Sequence, residues 1–186
     1  KCFKEALSGR QRPVYMDIRE TALADKVDKK FLENLLPPQK YRPTIKPSAD
    51  PKLIEKGLEL IKSSQKPLII VGGGLTSANA WVELQEFSLK YKIPVATTVL
   101  GLGTIGNDKE TFIGSTMGDQ NVRNAAGKAD LILSLGCKWD YTMFYGDAPL
   151  WAPDQKFIQV DIDPSEIGKN HKVDIGIVAD CKASLK

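Results

Sequence analysis

The sequence predicts an α/β fold, a Rossmann-like parallel sheet of about six strands with helices on both faces. Three observations carry this. Apolar runs without polar alternation recur, as in Leu68-Ile69-Ile70-Val71 and Leu131-Ile132-Leu133-Ser134-Leu135, as strands buried on both faces require. Amphipathic stretches of helical period lie between such runs. The two patterns alternate, which implies crossover connections and a parallel sheet.

Taken in order, Pro13-Val14-Tyr15-Met16-Asp17-Ile18 is a short apolar run rich in strand formers and reads as a strand. Pro37, Pro38, Pro43 and Pro47 then crowd a polar stretch. Prolines at that density resist helix and sheet interiors, so residues 21–48 read as a linker with a short helical turn near 31–36. Asp50-Pro51 opens a helix, with an acid at the cap and proline at the first helical position. Ile54, Leu58 and Ile61 give it one apolar face, and residues 63–67 end it. The strand 68–71 leads into Gly72-Gly73-Gly74, read as a turn. A second helix is expected from about Ala78 to Tyr91, with Ala80, Leu84, Phe87 and Tyr91 on its inner side.

A strand at 94–97 ends in the loop Gly101-Leu102-Gly103. Residues 119–127 form a helix carrying Val122, Ala125 and Ala126 inward. Strands at 131–135, 157–161 and 175–178 complete the pattern. The chain therefore divides into a first piece at 1–20, a linker at 21–48 and a sheet domain at 49–186. It opens on Lys1 in what reads as mid-sequence, and is expected to be a piece of a larger enzyme.

The net charge of +3 is small and no long basic run occurs, which argues against a nucleic-acid partner. No apolar run approaches the ~20 residues of a membrane helix. Cys2, Cys137 and Cys181 are too scattered for a zinc site or a disulfide framework. A reducing intracellular compartment, the cytoplasm or an organelle, fits them best.

In an open parallel sheet the carboxyl ends of the strands form the ligand edge. Gly72, Gly73, Gly74, Thr97, Thr98, Gly136, Asp161 and Asp163 all fall there. A triple glycine before a helix could admit a phosphate to the helix amides; equally it could be a tight turn that needs positive φ. It is no dinucleotide fingerprint, because Ser77 stands where the third glycine belongs and Thr97-Thr98 replaces the acid that would hold an NAD ribose. The lysine of a P-loop is absent as well. Asp161, Asp163 and Asp180 could accept ribose hydroxyls, or the first two could cap the turn at Pro164. Neither a metal site nor a catalytic set is expected from them. His171, alone in Lys169-Asn170-His171-Lys172, reads as a surface histidine. Trp139, Tyr141, Phe144, Tyr145 and Trp151 could stack on a ligand ring, but a buried loop plug or an interface is the better reading.

Read together, these motifs resemble the central domain of thiamine-diphosphate-dependent enzymes, the group of acetolactate synthase, oxalyl-CoA decarboxylase and 2-hydroxyacyl-CoA lyase. The likeness rests on Pro67 through Gly74, Ile93-Pro94-Val95-Ala96-Thr97-Thr98 with Gly101-Leu102-Gly103, Ala129 through Gly136, and Phe157 through Pro164 followed by Glu166-Ile167-Gly168-Lys169-Asn170. Gly9-Arg10 and residues 13–18 resemble the closing strand of an N-terminal pyrimidine-binding domain. The resemblance implies an enzyme that uses thiamine diphosphate and Mg2+, both held by pyrimidine- and diphosphate-binding domains outside this chain. It also implies a homodimer or homotetramer and no catalytic residue within these residues. An accessory adenine nucleotide, ADP or coenzyme A, would meet Arg10, Gly72, Gly73, Gly74, Thr97, Thr98, Asp161, Asp163 and Asp180. FAD is less expected. Lys138-Trp139-Asp140-Tyr141 stands where flavin-binding relatives carry arginine-phenylalanine-aspartate-aspartate, and lysine does not copy arginine's planar fork. The alternative is a structural module that joins domains and subunits without a nucleotide.

Overall fold

The structure, a computed structural model, describes residues 2–37, 40 and 46–186. It divides into two units, Lys1–Ile45 and Lys46–Lys186. Pro38 and Pro43 of the expected linker lie outside the described residues.

In the first unit three short helices occur: α1 (Cys2–Leu7), α2 (Glu20–Ala24) and α3 (Lys29–Glu33). Asp28 caps α3 by accepting from the Lys30 amide at 2.9 Å. None of residues 2–37 is buried. The strand expected at 13–18 does not form, although its apolar residues Val14, Met16 and Ile18 are exposed. A strand is defined by its ladder, and among the described residues this segment has no strand to pair with.

The second unit is built on α4 (Pro51–Ser63), β1 (Pro67–Val71), α5 (Gly73–Ala78), α6 (Trp81–Tyr91), β2 (Val95–Thr97), β3 (Phe112–Ser115), α7 (Gln120–Lys128), β4 (Leu131–Leu135), β5 (Lys156–Asp161), β6 (Ile175–Val178) and α8 (Cys181–Leu185). The six strands are all parallel and run in the order β3-β2-β1-β4-β5-β6. The strand count matches the expectation, but β3 was not foreseen. It is an edge strand of four partly buried residues, broken by Gly114 at φ +119 and a register shift opposite Val95 and Ala96. Only Phe112 and Ile113 are apolar in it, too short a run to read as a strand.

Alternation along the strands sends side chains to two separate cores. Ile69, Val71, Leu133, Leu135, Ile158 and Val160 face α4, α5, α6 and α8, where they meet Ile61, Leu75, Leu84 and Cys181. Leu68, Ile70, Ala96, Ile132 and Phe157 face the other way. There they meet Val122 and Ala126 of α7 and then Trp139, Met143, Leu150 and Trp151 from an irregular segment.

The expected helix at 78–91 forms as α6, and a separate short helix, α5, precedes it where a glycine turn was expected. α5 begins at Gly73 and stops at Asn79, whose left-handed conformation (φ 54) is a common helix terminator. α6 then runs to Lys92, also left-handed. Asp50 caps α4 through the Lys52 amide at 2.9 Å, as the sequence predicts.

Candidate functional site

The strand order reverses between β1 and β4, and their carboxyl ends carry Gly72 and Gly136. Such a switch point is where open α/β sheets bind ligands. Here the two ends pack backbone on backbone. The Gly72 amide donates to Leu135 O at 3.0 Å, and the Gly74 amide donates to Gly136 O at 3.0 Å. A Cβ on Gly74 would stand 2.6 Å from Gly136 Cα, and one on Gly72 would collide with Gly136 O. Gly101 likewise lies against Val71 O.

This corrects the reading of the triple glycine as a turn that needs positive φ. None of Gly72, Gly73 and Gly74 has a positive φ; Gly72 sits at −111°. Gly72 and Gly74 are required by close approach to the Gly136 backbone, and Gly73 and Gly74 start a helix. Gly136 does need its left-handed φ of +60°. A nucleotide phosphate would have to recruit amides at this turn, and two of them already serve Leu135 and Gly136.

The other edge residues are placed as follows. Thr97 is fully buried and its hydroxyl has no hydrogen-bond partner. Thr98 follows at the edge, its amide donating to Val71 O at 2.8 Å. Asp161 Oδ1 accepts from the Asp163 amide at 2.9 Å. Asp163 caps the 3-10 turn Pro164–Glu166, accepting from the Ser165 amide and hydroxyl at 3.0 and 2.7 Å. Asp180 caps α8 through the amides of Lys182 and Ala183 and pairs with Lys46 at 2.9 Å. The cap alternative at Pro164 is thus realised by Asp163, with Asp161 holding the Asp163 amide, while Asp180 caps a different element. Arg10 belongs to the first unit, in a bend after α1. Among the described residues no group of histidine, cysteine and carboxylate side chains could hold a metal.

Cys137 and Cys181 are free and buried near Asp161. Burial pushes the Cys137 thiol up to about 12 and raises Cys181 as well, so neither is a thiolate at neutral pH.

The aromatic segment splits in two. Trp139 and Trp151 are the buried plug, their rings 4.8 Å apart and edge to face. The Trp139 indole N–H donates to Ser134 Oγ at 2.9 Å, and that of Trp151 donates to Met143 O at 2.7 Å. Tyr141, Phe144 and Tyr145 are exposed, and the last two hold φ of 50° and 55°. Such conformations cost bulky residues roughly 1–2 kcal/mol each.

The surface reading of His171 is overturned. Its ring packs 4.5 Å from Trp139 and 4.6 Å from Phe157, and both ring nitrogens are buried without a hydrogen-bond partner. The polar neighbours Lys169, Asn170 and Lys172 hid this, because a single apolar contact face in a loop leaves no periodic signal.

The family described as "Thiamine pyrophosphate enzyme, central domain" matches residues 54–186. The chain belongs to that family. Over its whole length it is 36% identical to the acetolactate synthase large subunit of Corynebacterium glutamicum, of which it covers 29%. It is 32% identical to the acetolactate synthase of Arthrospira platensis, again over its whole length and 32% of that protein. The chain therefore spans about a third of the length of these relatives. Among solved structures, benzoylformate decarboxylase from Polynucleobacter necessarius superposes with a TM-score of 0.63 at 22% identity, covering 82% of this chain and 29% of that one. That likeness concerns the fold. Among the described residues no helix is long and apolar enough to cross a membrane.

Proposed function

We propose that this chain is the central domain of an acetolactate-synthase-like lyase, decarboxylase or carboligase acting on 2-oxo acids or on 2-hydroxyacyl- or oxalyl-CoA, and that it seats an adenine nucleotide, ADP or coenzyme A before FAD, in an accessory role. In the intact enzyme thiamine diphosphate, with Mg2+, supplies an electron sink for making or breaking a C–C bond. Residues 1–20 then end a pyrimidine-binding domain and 21–48 link it to this one, in a cytoplasmic homodimer or homotetramer.

The observation that supports the nucleotide is the strand order, which gathers Gly73, Thr98, Asp161, Asp163 and Asp180 along one carboxyl edge on both sides of the switch point. The chain's own part is to present backbone amides, a threonine hydroxyl and carboxylates to ribose and phosphate. It supplies no group that touches the reacting carbon.

A second reading has its own observation. The amides of Gly72 and Gly74 are engaged by the β4 terminus, and all three aspartates accept from backbone amides close by in the chain. A domain with its edge closed in this way joins its neighbours and binds nothing. Thermal unfolding of the purified chain with ADP, coenzyme A or FAD separates the two. A ligand at ~100 times its dissociation constant stabilises by about 2.7 kcal/mol. We expect ADP or coenzyme A to raise the midpoint and the preparation to be colourless. No shift with any of the three leaves the joining module.

A further inference from the structure

The segment between β5 and β6 closes over the aromatic plug by two contacts. The Asn170 side-chain amide donates to Trp139 O at 2.6 Å. One residue on, the His171 ring lies against Trp139 and Phe157, with Gly146 so close that a Cβ there would stand 2.7 Å from His171 Cβ. The root of the segment is fixed from below. Gln159, fully buried in β5, donates to Glu166 O at 2.8 Å and accepts from the Gly168 amide at 3.0 Å. The plug that the segment covers is continuous with residues 140–147, which carry the exposed Tyr141, Phe144 and Tyr145 at the edge. Nothing in the proposed chemistry uses His171.

We propose that His171 is a proton-controlled latch: neutral, it holds residues 167–173 closed on the Trp139–Phe157 plug, and protonated, it releases them and loosens the 140–147 segment.

The geometry gives the direction. A neutral imidazole brings one N–H donor and one acceptor nitrogen into this contact, and neither has a partner. An imidazolium brings two charged donors to the same place. Aromatic faces attract a cation by about 0.5–1 kcal/mol at exposed sites, but a charged donor left without an acceptor costs more than that. The charged groups around the ring are few. Asp147, which follows the 3-10 turn Tyr141–Gly146, is the one charge that favours the protonated form. Beside Trp139 stand Lys138 and Asp140, paired with each other at 3.4 Å. Lys156 precedes Phe157 in β5, and Asp174 accepts from the Phe157 amide and pairs with Lys172. On the segment itself Lys169 pairs with Glu166 at 3.1 Å. Burial outweighs Asp147 and holds His171 below the ordinary histidine range. The unfolded chain thus binds the proton more readily than the folded one. The stability this contact supplies is present above the unfolded value of about 6.5, and it is lost as pH falls from there through the folded value.

His171 is the only histidine, so its titration can be followed without assignment. The test uses the full 186-residue chain, recording the histidine ring protons by NMR and tryptophan fluorescence between pH 7.5 and 4.5. We expect a histidine midpoint below the free value, with a fluorescence step at the same pH. H171F keeps the ring contacts and should abolish the step while the chain stays folded. N170A removes the second catch, so the latch opens more readily and the midpoint moves up toward the free value. A merely packed histidine would give no such movement. A midpoint at the free value, a fluorescence step that persists in H171F, or an unchanged midpoint in N170A would each overturn the proposal. Should H171F fail to fold, N170A alone decides.

Discussion

The two faces of one sheet are covered in different ways. On the first, α4, α5, α6 and α8 lay apolar stripes over β1, β4, β5 and β6. On the second, α7 covers only part, and the segment 137–155 completes the cover with Trp139, Met143, Leu150 and Trp151. A helix satisfies its own backbone polar groups, whereas an irregular segment must find partners for them. The second face therefore depends on side-chain bonds. Gln155 reaches from that segment to Ala126 O and to Ala129 O at 2.8 Å, and its Oε1 accepts from the Ala152 amide at 3.0 Å. Gln159 and the two indole N–H groups do the same work elsewhere. A helical cover tolerates change in small steps; a plug of a few large side chains concentrates its stability in each of them.

That contrast can be broken by mutation. Trp151→Ala removes the largest fully buried side chain of the plug and is expected to cost about 4 kcal/mol in urea unfolding. A loss below that of Leu84→Ala on the helical face would show that the plug collapses to fill the gap. Next comes the seam between β1 and β4. Gly136→Ala puts a Cβ 2.5 Å from Gly74 Cα at a φ of +60°, which should cost roughly 3 kcal/mol. Gly103→Ala is its control, with φ +83 and nothing within 4 Å, and should cost about 1–2 kcal/mol. Equal losses at the two would mean that conformation alone, without close approach, explains Gly136. Gln159→Leu keeps the volume but removes the side-chain donor to Glu166 O and the acceptor of the Gly168 amide, for a loss of about 2 kcal/mol by denaturant unfolding. The smallest effect lies on the helical face and has the opposite sign. A Cβ on Gly57 of α4 would meet only Ile158 Cδ1 at 3.8 Å, beside an apolar cavity of about 40 Å³ lined by Ile54, Leu58, Ile61 and Leu185. Gly57→Ala should raise stability by about 0.5–1 kcal/mol, read as a higher thermal midpoint.

The helical face was legible from the residues, because its signal is periodic. Ile54 and Ile61 of α4, and Leu84 and Phe87 of α6, point where their spacing says they must. The plug was visible as a crowd of aromatic residues but not as a structure. Nothing in the run from Trp139 to Trp151 separates the buried indoles from Tyr141, Phe144 and Tyr145. Their division follows from which face of β4 and β5 the segment crosses. The edge strand β3 escaped for a related reason, being half-buried and interrupted by a glycine. The candidate site was legible as a list of residues at strand ends, and its chemistry was not. Gly72, Gly73 and Gly74 look the same in sequence whether they face a phosphate or a neighbouring backbone.

By itself, the sequence determined the fold class, the parallel sheet and the family, since all three rest on local periodicity and on motifs in fixed order. Only the tertiary structure decided what the glycines and the histidine pack against. The Gly72 and Gly74 amides meet Leu135 O and Gly136 O from about sixty residues away, and the ring of His171 meets Trp139 across more than thirty. Contacts between residues that distant are set by how the strands are ordered in the sheet, and no window along the chain contains both partners.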